Sequence, residues 1–204
     1  MNDSPRTRLA LLGTMSDLHM QPVTYDLRNL QKIITDLAPD LLCAEITKEA
    51  WESSNLSHAS LELQKALAPA VDVTDIVLVP VVPSTKQFAD FTPLGGWRRR
   101  LIRTFDKILH WGQRKADTAE AINDVWFGLF CHTLCDLTEM FWSKQDRAAW
   151  EKQNHALVEN IINAIRNNEG SRVLVAVQCQ RLHSLVPLLE KHSNLFDLVG
   201  YQNL

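Results

Sequence analysis

Apolar residues in this chain of 204 residues fall in two rhythms. Some form short, almost unbroken runs: Leu9-Ala10-Leu11-Leu12, Leu41-Leu42-Cys43-Ala44, Ile76-Val77-Leu78-Val79 and Val173-Leu174-Val175-Ala176-Val177. Runs of this length, bounded by polar or turn residues, predict strands buried on both faces. Strands are therefore expected over 8–14, 41–46, 76–82 and 172–178, with a short last one near 195–199. Pro80 interrupts the third run and predicts an edge strand, because proline cannot donate to a ladder.

The second rhythm is helical. Leu27, Leu30, Ile33, Ile34 and Leu37 recur at three- and four-residue spacing, predicting a helix over 25–37. Thr24 is a candidate N-cap, and Pro39 marks the end. A second helix is expected over 57–68, with Ser57 as cap and Pro69 just past its end. Pro83 to Gly96 holds two prolines and two glycines and reads as a loop. From Trp97 to Asn167 the pattern is continuously helical and rich in tryptophan, predicting three helices near 97–114, 117–141 and 146–167, with core packing as the simplest role for the tryptophans. A last helix is expected over 182–192.

Strand, helix and strand within 40 residues is the signal of a parallel βαβ unit. The expected fold is α/β: a mostly parallel central sheet covered by helices, with a helical insertion before the last strands. The whole chain, 1–204, reads as a single domain, with 97–167 as the insertion.

Composition narrows the setting. A net charge of −3 gives no electrostatic case for nucleic acid or a membrane surface. Arg98-Arg99-Arg100 with Arg103 reads as a solvated helix face. The cysteines Cys43, Cys131, Cys135 and Cys179 form no CxxC pair and are expected to be reduced. No apolar run approaches the roughly 18 residues of a membrane span, and Met1 to Arg8 lacks the apolar stretch of a signal peptide. A soluble, cytoplasmic protein is the expectation.

The candidate chemistry lies at the strand tips, because parallel sheets bind ligands outside their carboxyl ends. The first tip is Gly13-Thr14-Met15-Ser16-Asp17-Leu18-His19. The second is Glu45, a carboxylate closing an apolar run, where it needs a partner. The third is Gln178-Cys179-Gln180-Arg181-Leu182-His183. Glu45, His19 and His183 are the candidate catalytic residues and the candidate ligands of a divalent metal ion, which would lower the pKa of a bound water. Gly13, Thr14, Ser16, Asp17, Gln178, Gln180 and Arg181 are candidate contacts to a small-molecule or peptide ligand. In the alternative, Arg181 neutralises Glu45 and the site binds without catalysing. A further group, His132, Asp136 and Glu139 at i, i+4 and i+7 beside Cys135, shares one helical face. Its simplest account is a stripe facing water opposite a core side of Val125, Trp126, Leu129, Phe130, Leu137 and Phe141.

The order of these tips resembles the erythromycin esterase/ChaN-like superfamily, which includes the TraB/pheromone-shutdown proteins. That family opens with a strand and a Gly-Thr-x-His or Gly-Ser-x-His turn, against Gly13-Thr14-Met15-Ser16 here. It continues with a Pro-Asp step and a strand ending in glutamate, against Pro39-Asp40 through Glu45. It closes with a strand and a Gly-Ala-Gly-His-like turn, against Gln178 to Arg181. The stretch from Trp150 through Asn154 to Asn160 resembles a helix some members carry. Ser16 and Arg181 stand where the family has histidines, and Gln178 and Gln180 replace glycines. The resemblance implies ester hydrolysis, metal-dependent peptide cleavage or haem-iron binding, centred on Glu45.

Overall fold

The computed structural model describes residues 6–57, 59–83 and 95–204. Most of the expected loop over Pro83–Gly96, residues 84–94, lies outside them, as does His58. The described strands are β1 (Thr7–Thr14), β2 (Leu41–Thr47), β3 (Val77–Val82), β4 (Arg172–Gln178) and β5 (Phe196–Val199). They form one all-parallel sheet in the order β3-β2-β4-β1-β5. β4 returns from far along the chain to lie between β1 and β2, and β3 takes an edge, where Pro80 is tolerated.

The helices are α1 (Leu27–Leu37), α2 (Lys48–Glu52), α3 (Ala68–Asp72), α4 (Gly96–Lys115), α5 (Ala119–Ile122), α6 (Val125–Glu139), α7 (Lys144–Asn167) and α8 (Cys179–Glu190). Side chains alternate across the sheet. Ala10, Leu12, Leu42, Ala44, Leu174 and Ala176 enter a core shared with α1, α3, α5 and α6. Leu9, Cys43, Val173, Val175 and Val177 enter a second core with α7 and α8. Helices on both faces explain why the strands are apolar at every position rather than at alternate ones.

Several local expectations change. Asp26, not Thr24, caps α1, accepting the Asn29 N–H at 2.8 Å; Thr24 instead donates to Asp117. The second helix does not begin at Ser57. A π-helical turn at Leu63–Leu67 leads directly into α3, with Ser60 accepting the Leu63 N–H. Pro69 therefore lies within a continuous helical stretch rather than past its end, directly after the π-helical turn. The single helix expected over 117–141 is broken between α5 and α6. Asp124 caps α6 through the Trp126 N–H, while Asn123 turns back to accept the Gly13 N–H at 2.7 Å.

The helical stretch is also not one block. The C-terminal half of α7 packs on the sheet through Leu157, Ile161 and Ile165, and Asn160 donates to the Val81 carbonyl. α7 is thus part of the sheet's cover. α6 buries Phe127, Cys131 and Leu134, whereas Val125, Trp126 and Leu129, expected in the core, are exposed. Trp97 and Trp111 on α4 are exposed too, at 62% each, so core packing does not account for them. The i, i+3, i+4 pattern of α6 is satisfied by two apolar faces, and the neighbouring α8 and α4 select which one goes inside. The close approach of α4 and α6 depends on Gly112, where a Cβ would stand 2.4 Å from the Phe130 ring.

Candidate functional site

β1, β2 and β4 end side by side, and three cavities open around their tips. All three are lined by Gln178, the last residue of β4. Gly13 allows this crowding: a Cβ there would meet the Leu182 side chain at 2.8 Å, and Asn123 Oδ1 and Cys179 Cβ at 3.2 Å, so a larger residue would force these neighbours to shift.

Glu45 lies just past the last β2–β4 pair, Ala44 with Ala176, at an irregularity in the β2–β3 register. Its Oε1 pairs with Arg181 Nε at 2.7 Å, and its Oε2 accepts the Gln178 N–H at 3.1 Å. Arg181 donates onward to Asn154 Oδ1 at 2.9 Å, and its guanidinium lies 4.3 Å from the centre of a Trp150 ring. Burial raises the Glu45 carboxyl above its ordinary range, and Arg181 and the Gln178 N–H draw it partly back. Trp150 and Asn154, neighbours one turn apart on α7, complete the pair's surroundings.

His19 belongs to a 3-10 turn, Ser16–Met20, and is buried. Both ring nitrogens are used: Nε2 accepts the Met15 N–H at 2.9 Å, and Nδ1 donates to the Tyr25 carbonyl at 2.6 Å. Burial lowers its pKa, against the opposing influence of the Tyr25 carbonyl and Glu62. Glu62, 3.6 Å from His19 Nε2, also accepts the N–H of Ser16, which is held at φ 53°. For serine that left-handed geometry costs about 1–2 kcal/mol. The side chain of Asp17 lies outside the described residues. Thr14, Ser16, Gln178 and Gln180 line a cavity of about 360 Å³ beside this turn.

His183, on α8, points elsewhere. It lines a cavity of about 380 Å³ between α4, α6, α7 and α8. Its Nε2 faces Ser184 Oγ at 3.2 Å and Glu139 Oε1 at 3.8 Å. Its Nδ1 is buried with no hydrogen-bond partner among the described residues, as is the indole Nε1 of Trp150 in the same wall. Burial alone would lower the His183 pKa, but the Cys135 and Glu139 side chains beside the ring outweigh it and lift it to about 9. The Cys135 thiol, beside Cys131 and His183, is drawn down to about 6. These surroundings favour positive charge on or beside the His183 ring. The remaining walls combine apolar residues, Ile102, Phe105, Leu109, Leu134 and Trp142, with the polar Asp106, Thr138, Asp146, Gln178, Gln180 and Arg181.

The structure therefore joins Glu45 with Gln178 and Arg181, and Thr14 and Ser16 with Gln178 and Gln180. It does not bring His19 or His183 onto Glu45. His19 is taken by Met15, Tyr25 and Glu62, and His183 by the α6 face. Among the described residues, the His, Cys, Asp or Glu group close enough to hold an ion is His132, Asp136 and His183. Sequence reasoning found the α6 stripe but had no means of placing His183 against it. It missed Glu62, whose run Ser60-Leu61-Glu62-Leu63 reads as ordinary amphipathic helix.

No protein-family model, no curated protein and no solved structure matches this chain. No helix among the described residues is long and apolar enough to cross a membrane.

Proposed function

We propose that this protein binds a small, mainly apolar molecule bearing a hydrogen-bond acceptor, in the cavity between α4, α6, α7 and α8, without catalysis at Glu45. The observation that carries this reading is the combination of aromatic and aliphatic walls with the buried, unpartnered indole N–H of Trp150 in a space of about 380 Å³. That volume lies within the about 300–1,000 Å³ range of small-molecule sites. A buried donor without an acceptor costs about 1–3 kcal/mol, which a ligand carbonyl or ether oxygen would recover.

The Glu45–Arg181 pair supports the non-catalytic side of the reading. A carboxylate with one oxygen held by a guanidinium and the other by a backbone N–H has both oxygens engaged and is poorly placed as a general base or metal ligand. Metal-dependent hydrolysis at Glu45, which the sequence resemblance implies, lacks that support, since neither histidine joins the carboxylate.

The neutral fluorophore prodan, a naphthalene carrying one ketone oxygen, matches the proposed ligand chemistry. We expect it to bind one per chain with a blue-shifted emission, and Thr138→Trp, which fills the cavity wall, to abolish that signal while melting like the parent. Absence of saturable prodan binding, or binding indifferent to Thr138→Trp, rejects the reading.

A further inference from the structure

His132 and Asp136 stand one turn apart on α6, with His132 Nδ1 and Asp136 Oδ2 at 2.9 Å. That pair alone would be an ordinary surface contact of a helix, since both side chains are about half exposed. The residue that changes its meaning is His183, which arrives from α8. The His132 and His183 ring centroids are 4.9 Å apart, and one ligand atom from each of His132, Asp136 and His183 lies within 4.8 Å of the other two.

His183 is not an exposed histidine drifting near others. Its side chain is 7% exposed, and its two nitrogens are treated differently. Nε2 faces the hydroxyl of Ser184 and, at 3.8 Å, the carboxylate of Glu139, whereas Nδ1 is buried without a hydrogen bond, with Cys135 beside the ring. An imidazole that turns one nitrogen toward a carboxylate and leaves the other unbonded is how a histidine is prepared to ligate a metal. A carboxylate that closes to hydrogen-bond distance fixes the ring and the tautomer and makes the free nitrogen more basic. A buried imidazole nitrogen serving only the fold would be expected to find a partner, as both nitrogens of His19 do.

We propose that His132, Asp136 and His183 bind a first-row transition-metal dication of the zinc class, with Glu139 as the carboxylate that orients His183. Two imidazoles and one carboxylate are a donor set suited to zinc, and less to calcium or magnesium, which take oxygen ligands. Zinc–ligand bonds of about 2.0–2.1 Å place tetrahedral donors about 3.3 Å apart. The three ligand atoms now lie within 4.8 Å of one another and would have to draw together to that separation on binding. His132 and Asp136 are the half-exposed members and supply the movement, while His183 stays fixed. Three protein donors leave a fourth position for water. This inference does not depend on an occupant in the neighbouring cavity, because none of its ligand atoms need come from one.

The test uses the full, untagged chain, stripped of metal by chelation and dialysis. Titration with Zn²⁺ followed by calorimetry is expected to give one site per chain. His132→Ala and Asp136→Asn, both at the surface, are each expected to weaken binding about tenfold or more, and Glu139→Gln about 10- to 100-fold as an orienting change. The distinguishing measurement is the imidazole nitrogen spectrum: Zn²⁺ should shift a ring nitrogen of His132 and of His183 while leaving His19 unmoved. That readout uses the parent protein, so it stands even if a His183 variant fails to fold. Co²⁺ should give the visible bands of a low-coordinate site, lost in His132→Ala. No stoichiometric Zn²⁺ binding, affinity unchanged in both surface variants, or zinc bound without a shift at His183 overturns the proposal.

Discussion

Two histidines at the same end of the sheet live in opposite circumstances. His19 sits in a closed region: its nitrogens are both bonded, the neighbouring Glu62 also takes the Ser16 N–H, and Tyr25 donates back to the Gly13 carbonyl at 3.1 Å. His183 sits in an open region: one nitrogen faces Glu139, the other makes no hydrogen bond, and a cavity with the idle indole N–H of Trp150 begins beside it. The Glu45–Arg181 pair stands at the same end of the sheet, with Arg181 a shared wall of that cavity and of a smaller one at Glu45. Polar groups that close on one another specify a fold, and those left idle in a cavity point to something the fold receives. The difference teaches that of the three residues with the most catalytic look in the sequence, Glu45 and His19 have their polar atoms engaged within the fold, while His183 keeps one nitrogen unbonded.

The comparison breaks most visibly at the Glu45–Arg181 pair. Arg181→Ala leaves the carboxylate of Glu45 largely buried and unpaired, and is expected to cost about 3–5 kcal/mol in chemical denaturation. Glu45→Gln keeps an acceptor for the Gln178 N–H and should cost less than half of that. If Arg181→Ala unfolds at the parent's denaturant midpoint, the pair does not hold the tips together.

A second, smaller effect sharpens the closed side. Burial depresses the folded-state pKa of His19 below its ordinary value of 6.5. The unfolded chain then binds the extra proton first, so the contribution of this group is complete above about pH 6.5 and fades as pH falls toward the depressed value. Glu62 and Asp26 oppose the shift without cancelling it. The pH dependence of stability between 7 and 5 should be steeper in the parent than in His19→Gln. Equal slopes would mean that His19 is as free to take a proton folded as unfolded.

The smallest effect is a rate rather than a stability. Cys43 is fully buried and its thiol is raised to about 12, whereas Cys135, half-buried beside His183, is lowered to about 6. Peptide mapping after brief iodoacetamide treatment near neutral pH should find Cys135 modified well before Cys43. Comparable modification of the two would remove the charge-favouring character assigned to the open side.

Much of the scaffold was legible from local rules. The runs at Leu9, Leu41, Ile76 and Val173 became parallel strands, Pro80 marked an edge, and the tips at Gly13, Glu45 and Gln178 came together. Helix boundaries failed where a nearby side chain outbid the expected cap, as Asp26 did for Thr24, or where the helix ran on through a proline, as it does at Pro69 after the π-helical turn. The site was legible only as a neighbourhood. Glu45 was found because an acid ending an apolar run demands a partner, and Arg181 was named as one. Glu62 carried no such signal, since a glutamate in an amphipathic helix is ordinary until another element covers it.

By itself the sequence determined the sheet, its parallel character and the identity of the three tips, because hydrophobic period and chain-terminating residues act over a few positions. Which face of α6 is buried, which carboxylate each histidine meets, and whether a nitrogen is bonded or bare were decided only in three dimensions. Those outcomes depend on how α8 docks against α6 and against the close approach at Gly13. A side chain's partner is set by distance, and distance between residues far apart in the chain exists only once the chain has packed.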